Sequence, residues 1–94
     1  MTFASRVHWL QRYLAARRIL KDNPRPAGKL ECERIANEIV QAILELPDTD
    51  GKEILYRHYI LGKPIKEIAR SIPMCQRQVI RIHKRSVMAL DIKE

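Results

Sequence analysis

"KPIKEIARSIPMCQRQVIRIHKRSVMAL", residues 63–90, carries four Arg and three Lys against a single acid, Glu67. Through the same stretch run Ile65, Ile68, Ala69, Ile72, Val79, Ile82, Val87 and Leu90. Their three-and-four spacing on either side of "SIPMC" predicts two helices, one from Pro64 to about Ile72 and a longer one from Gln76 to Leu90. Pro64 suits the first helical position, where its missing N–H is not needed. Two helices joined by a turn of three or four residues, the second long and basic, form the pattern of a helix-turn-helix.

The direction of the charges decides how that pattern is read. At 100° per residue from Val79, Ile82, Ser86 and Leu90 fall within about 60°, and His83 and Val87 within about 80°. Lys84, Arg77, Arg81 and Arg85 lie opposite, at about 140°, 160°, 200° and 240°. The cations therefore share the face that the apolar stripe leaves free. Gln76, Arg77, Gln78 and Arg81 are the candidate base-contacting residues, since Arg pairs bidentately with guanine and Gln with adenine. Lys63, Lys66, Arg70, Lys84 and Arg85 are candidate phosphate contacts, which orient a helix without reading sequence. A plain solvated face is the competing account. No acid stands between Glu67 and Asp91, so the helix lacks the i,i+4 partners that usually balance such charge.

The segment "ILYRHYILGKPIKEIARSIPMCQRQVIRIHKRSVMAL" resembles the C-terminal promoter-recognition helix-turn-helix of bacterial sigma factors, through Leu55, His58, Tyr59, Gly62, Glu67, Ile68, Ala69, Ile72 and Val79 at ungapped spacing. With the preceding "LPDTDGKEIL" it is also similar to small phage transcriptional regulators of the ArpU and RinA type. The resemblance covers about the last 45 residues and implies a phage or prophage regulator that binds DNA. Pro64 and Cys75 stand where the family usually has Ser caps, Pro73 where it has glycine, and Gln78 where Thr is frequent. The loss of the second Ser hydroxyl predicts a helix start weaker by about 1 kcal/mol.

Upstream, "LPDTDG" (46–51) offers Asp48, Thr49 or Asp50 as cap of a helix over about 49–61, closed by Gly62 in a left-handed C′ position. Residues 5–22 predict an amphipathic helix with Val7, Leu10, Leu14, Trp9, Tyr13 and Leu20 inward and Arg6, Arg12, Arg17, Arg18 and Lys21 outward, with Ser5 as its cap. "NPRPAG" (23–28) breaks it. A further helix from about Ala27 to Leu46 buries Ile35, Ala36, Ile39, Val40, Ile43 and Leu44 and turns Glu31, Glu33, Glu38 and Glu45 outward. A basic helix followed by an acidic one predicts an antiparallel hairpin with charges facing across the seam. The expected fold is thus all-α, with a helical hairpin over 1–46 and a helix-turn-helix region over 47–94.

Composition narrows the function. At 94 residues the chain suits one small domain, and a formal charge of +7 favours polyanionic partners. Cys32 and Cys75 are isolated, and His8, His58 and His83 are scattered. That predicts neither disulfide, metal site nor cofactor. No nucleophile elbow, phosphate-binding glycine loop or carboxylate pair is present, so no catalytic residue is assigned and the protein is expected not to be an enzyme. No apolar run reaches the roughly 18 residues of a membrane span, and a cytoplasmic location in a bacterial host is expected, with no membrane partner. The sequence thus points to a sequence-specific transcriptional regulator of double-stranded DNA. The alternative is an adaptor whose basic face meets RNA polymerase or another phage or host protein. A homodimer is the natural assembly for a helix-turn-helix of this size.

Overall fold

The computed structural model describes residues 2–22 and 28–92, and within them the protein is all-helical. Chain order is α1 (Phe3–Asp22), α2 (Lys29–Leu44), α3 (Thr49–Leu55), a π-helical turn (Tyr56–Ile60), α4 (Ile65–Ser71) and α5 (Gln76–Ala89). No described helix is long and apolar enough to cross a membrane.

The helix ends follow from their side chains. Thr2, not Ser5, caps α1: its Oγ1 accepts the Ser5 N–H at 3.2 Å. Of the expected helix-breaking stretch only Gly28 is described, and it precedes α2 at φ 78°. The expected start of α2 at Ala27 lies outside the described residues. Asp48 caps α3, its Oδ1 accepting the Asp50 N–H at 3.2 Å. The helix then widens, and the Leu61 N–H reaches back five residues to the Tyr56 carbonyl at 3.1 Å. Gly62, at φ 73°, stops it in the left-handed region where a side chain would be strained. Pro64 sits one residue before α4, as its N-cap, and accepts from the Glu67 and Ile68 N–H groups. Cys75 begins α5 without a side-chain hydrogen bond, as the missing hydroxyl predicts.

Two cores hold these elements. The larger joins Leu10 of α1, Ile39, Ala42 and Ile43 of α2, Leu46, Leu55, Tyr59, and Val87 and Leu90 around the end of α5. Phe3, Val7, Trp9 and Tyr13 pack against it, half-buried. This core draws residues from both sides of position 46, so α1 and α2 share their interior with the basic segment. The smaller core consists of Ile54, Ile68, Val79 and Ile82, flanked by Ile65, Ala69, Ile72 and Met74. It joins α3 to the α4–α5 pair.

Some inward assignments shift. On α1, Ala16 is buried and Leu14 is 44% exposed. At the end of α2 Leu44 is exposed, and Leu46, two residues beyond the helix, is buried instead. The expected charge seam between the two helices has no ion pair among the described residues. Glu31 and Glu38 instead pair with Arg34 on α2 itself, the latter at 2.8 Å.

Candidate nucleic-acid interface

α5 is amphipathic because its buried residues recur at three and four. Val79, Ile82, Ser86 and Val87 are buried, while Gln76, Arg77, Gln78, Arg81, Lys84 and Arg85 are all exposed. The backbone at its N-terminal end is bare of capping side chains. α4 packs on α5 through Ile68 against Val79 and Ile82. On α4, Lys66 and Arg70 are exposed.

The nine candidate residues differ in their electrostatic surroundings. Arg77, Arg81, Lys84, Lys66 and Arg70 join no ion pair among the described residues. Lys63 is half-buried and pairs with Glu67 at 3.3 Å. Arg85 donates to Asp48 Oδ2 at 2.6 Å, so its charge is already opposed by an acid from the turn before α3. That acid is 37 residues away in sequence, beyond the reach of an i,i+4 count. The Arg85 hydrogen bond, with smaller help from the backbone N–H groups of Gly51 and Asp50, holds the Asp48 carboxyl below its usual range. Asp48 thereby caps α3 and ties α5 to it.

Three further contacts fix α5, and none was legible from its own sequence. Arg6 of α1 sends Nη1 to the carbonyl oxygens of Val87 at 3.2 Å and Leu90 at 2.7 Å. The Val87 carbonyl also accepts the Leu90 N–H at 3.4 Å, and both acceptors lie at the end of the helix, where a cation is favoured by the helix dipole. Arg6 therefore points inward, contrary to its expected place on the solvent face. Gly51 meets Ser86 so closely that a Cβ at Gly51 would stand 2.0 Å from Ser86 Oγ and 3.0 Å from Ser86 Cβ. Two small residues let α3 and α5 approach. Ser86 Oγ is buried without a hydrogen-bond partner.

A polar aromatic cluster completes the inner side. Tyr59 and His83 are joined between the hydroxyl and Nε2 at 2.6 Å, and their rings stack at 5.6 Å. Phe3 meets His83 edge-on at 6.0 Å. Burial pushes the Tyr59 hydroxyl up to about 12. Burial, and secondarily His58, lowers His83 to about 4. At neutral pH the phenol thus keeps its proton and the imidazole is uncharged, so the two share a hydrogen bond between neutral groups. His58 donates from Nδ1 to the Lys63 carbonyl at 2.7 Å, securing the loop before α4. His58 and His83 are packing and hydrogen-bonding groups here. Among the described residues no group of three His, Cys, Asp or Glu is placed to hold a metal, and Cys32 and Cys75 are both free thiols.

What the arrangement offers is a helix anchored on its inner face, at its middle and at its C-terminal end. Its outer face carries amides and guanidinium groups free to turn toward a polyanion. No protein family, curated protein or solved structure matches the chain.

Proposed function

We propose that this protein is a sequence-specific double-stranded DNA-binding transcriptional regulator that lays α5 in the major groove. The observation that carries the reading is the exposed, acid-free row Gln76, Arg77, Gln78, Arg81 and Lys84 on a helix anchored from behind. In this reading Gln76, Arg77, Gln78 and Arg81 meet base edges, and Lys66, Arg70 and Lys84 meet phosphates. Arg85 and Lys63 join them as their own acids release them. The sigma-like pattern of Gly62, Glu67, Ile68, Ala69 and Val79 supports the same assignment by resemblance and adds the phage or prophage setting, the cytoplasm of a bacterial host.

Selection from a random duplex library at near-physiological salt tests it, with an Arg77→Ala, Arg81→Ala double variant alongside. A motif enriched by the native chain and not by the variant is the expected outcome, palindromic if the protein acts as a dimer. Affinity should fall with salt at a log–log slope near −0.9 per phosphate met. Binding without enrichment leaves only electrostatic attraction. The exposed Leu14, Ile19, Leu30 and Leu44 favour a second reading, in which α1 and α2 meet RNA polymerase or a second copy. Co-purification with polymerase from nuclease-treated extract, in the absence of any DNA motif, would put that reading first.

A further inference from the structure

We propose that Ile80 is a specificity-determining residue that contacts the C5-methyl group of a thymine; the inference rests on the DNA-binding reading above. Ile80 is 52% exposed, although it belongs to the most regular amphipathic helix of the chain. Val79 and Ile82, its neighbours one and two residues away, are both buried in the smaller core. The inward face is therefore already filled, and Ile80 is turned out of it by the helix geometry. It follows Arg77 by three residues and precedes Lys84 by four, the spacings that put side chains side by side on one helix face. Gln76, four residues before it, flanks it on the other side, at about 60° against about 100° for Ile80, while Arg81 lies about 100° further round beyond Lys84 and Arg77.

Single exposed apolar residues are common on protein surfaces, so exposure alone assigns nothing to Ile80. Its position does. A solvated polar face has no use for an isoleucine set between Gln76 and Lys84, since water meets the branched side chain at a cost. A major-groove face does have a use for one. The thymine methyl is the one apolar group the groove displays among donors and acceptors, and side-chain carbon recognises it. An isoleucine on a helix is held almost entirely in one χ1 rotamer, so little freedom is lost when it docks. Arg77 and Arg81 would fix guanines by bidentate bonds, while Ile80 beside Arg77 selects the neighbouring pair as T·A. The specificity is for a methyl group, which no cation on this helix can read.

The experiment uses the full chain and the duplex that library selection enriches, with each thymine in turn replaced by deoxyuridine, which removes only the methyl. Replacement at one or two positions is expected to weaken the native chain by about 3–10-fold, the effect of withdrawing one methyl from an apolar contact. Ile80→Ala, a surface change that leaves the helical circular dichroism unaltered, should bind the thymine and deoxyuridine duplexes equally at those positions. Ile80→Val should keep part of the difference. Equal binding of both duplexes by the native chain overturns the inference and leaves the DNA-binding reading standing, as does a difference that persists in Ile80→Ala. A chain that enriches no duplex overturns both.

Discussion

The two cores grip the same helix in different ways. The larger, around Leu10, Ile39, Ile43, Leu55 and Val87, gathers residues from nearly the whole chain and holds the C-terminal half of α5. The smaller, of Ile54, Ile68, Val79 and Ile82, comes from a span of 29 residues and holds the N-terminal half. Around the smaller core the helix starts at Pro64 and Cys75 have no side-chain cap. The half of α5 proposed to read bases is thus the half with fewer buried groups behind it. Asp48, Gly51 and Arg6, each from outside the helix-turn-helix pair, add further to the C-terminal half, through Arg85, Ser86, Val87 and Leu90. The orientation of α5 is thus set by the rest of the chain as well as by α4.

The contrast can be broken most forcefully in the larger core. Ile43→Ala should destabilise by about 2–5 kcal/mol and lower protection from hydrogen exchange throughout, whereas Ile68→Ala should loosen α4 and the start of α5 first. Uniform loss of protection in both variants would mean that the two cores are one cooperative unit. Next in size is Gly51→Ala, which drives a methyl onto Ser86 and should cost about 1–3 kcal/mol in urea denaturation. Adding Ser86→Ala should recover part of that loss, and alone should be neutral or mildly stabilising, because it removes an unpartnered buried hydroxyl.

Acid acts on the polar cluster beside the larger core, where His83 meets Tyr59 and Phe3. His83 is lowered from 6.5 to about 4 in the folded protein, so the unfolded chain binds the extra proton between those values. Stability should fall as pH drops from 6.5 toward 4, by about 1–2 kcal/mol once the partial wetting of the ring is allowed for. His83→Gln should remove that part of the slope, and an unchanged slope would place the titrating group elsewhere. The smallest effect belongs to Asp48→Asn. The amide oxygen keeps the α3 cap while the charge opposing Arg85 is lost, for about 0–1 kcal/mol of stability. DNA affinity should rise as Arg85 is released, and weaker binding would assign Arg85 a purely structural part.

Much of this architecture was legible. All five helices, the left-handed Gly62, Asp48 among the candidate caps, and the split of α5 into buried Val79, Ile82 and Val87 against exposed Arg77, Arg81 and Lys84 follow from spacing alone. Where periodicity failed, it failed for physical reasons. In α1 the run "LAARRIL" offers apolar atoms on every side, so tertiary contact chose Ala16 over Leu14. The π-helical turn over Tyr56–Ile60 adds a residue to one turn of a helix without any residue type that signals it. Arg6, Asp48–Arg85 and the intrahelical partners of Glu31 and Glu38 depend on which long side chains meet in space. The candidate interface was legible as a row of residues, but its anchoring was not. Ile80 belongs to neither the apolar stripe nor the charged row, so neither pattern singles it out.

The Arg6 contact also orders events in time. Its two acceptors lie 81 and 84 residues further along the chain, so it closes one of the longest loops the protein contains, and such contacts form late because their closure entropy is large. During synthesis the first helix emerges long before the carbonyls it will serve. A growing chain that has reached the end of α4 already holds seven of the nine buried residues of its larger core, yet α5 has no terminus to cap. Arg6 can engage only once α5 has formed its C-terminal end, so the basic surface is held from behind by α1 only after these two distant segments have met.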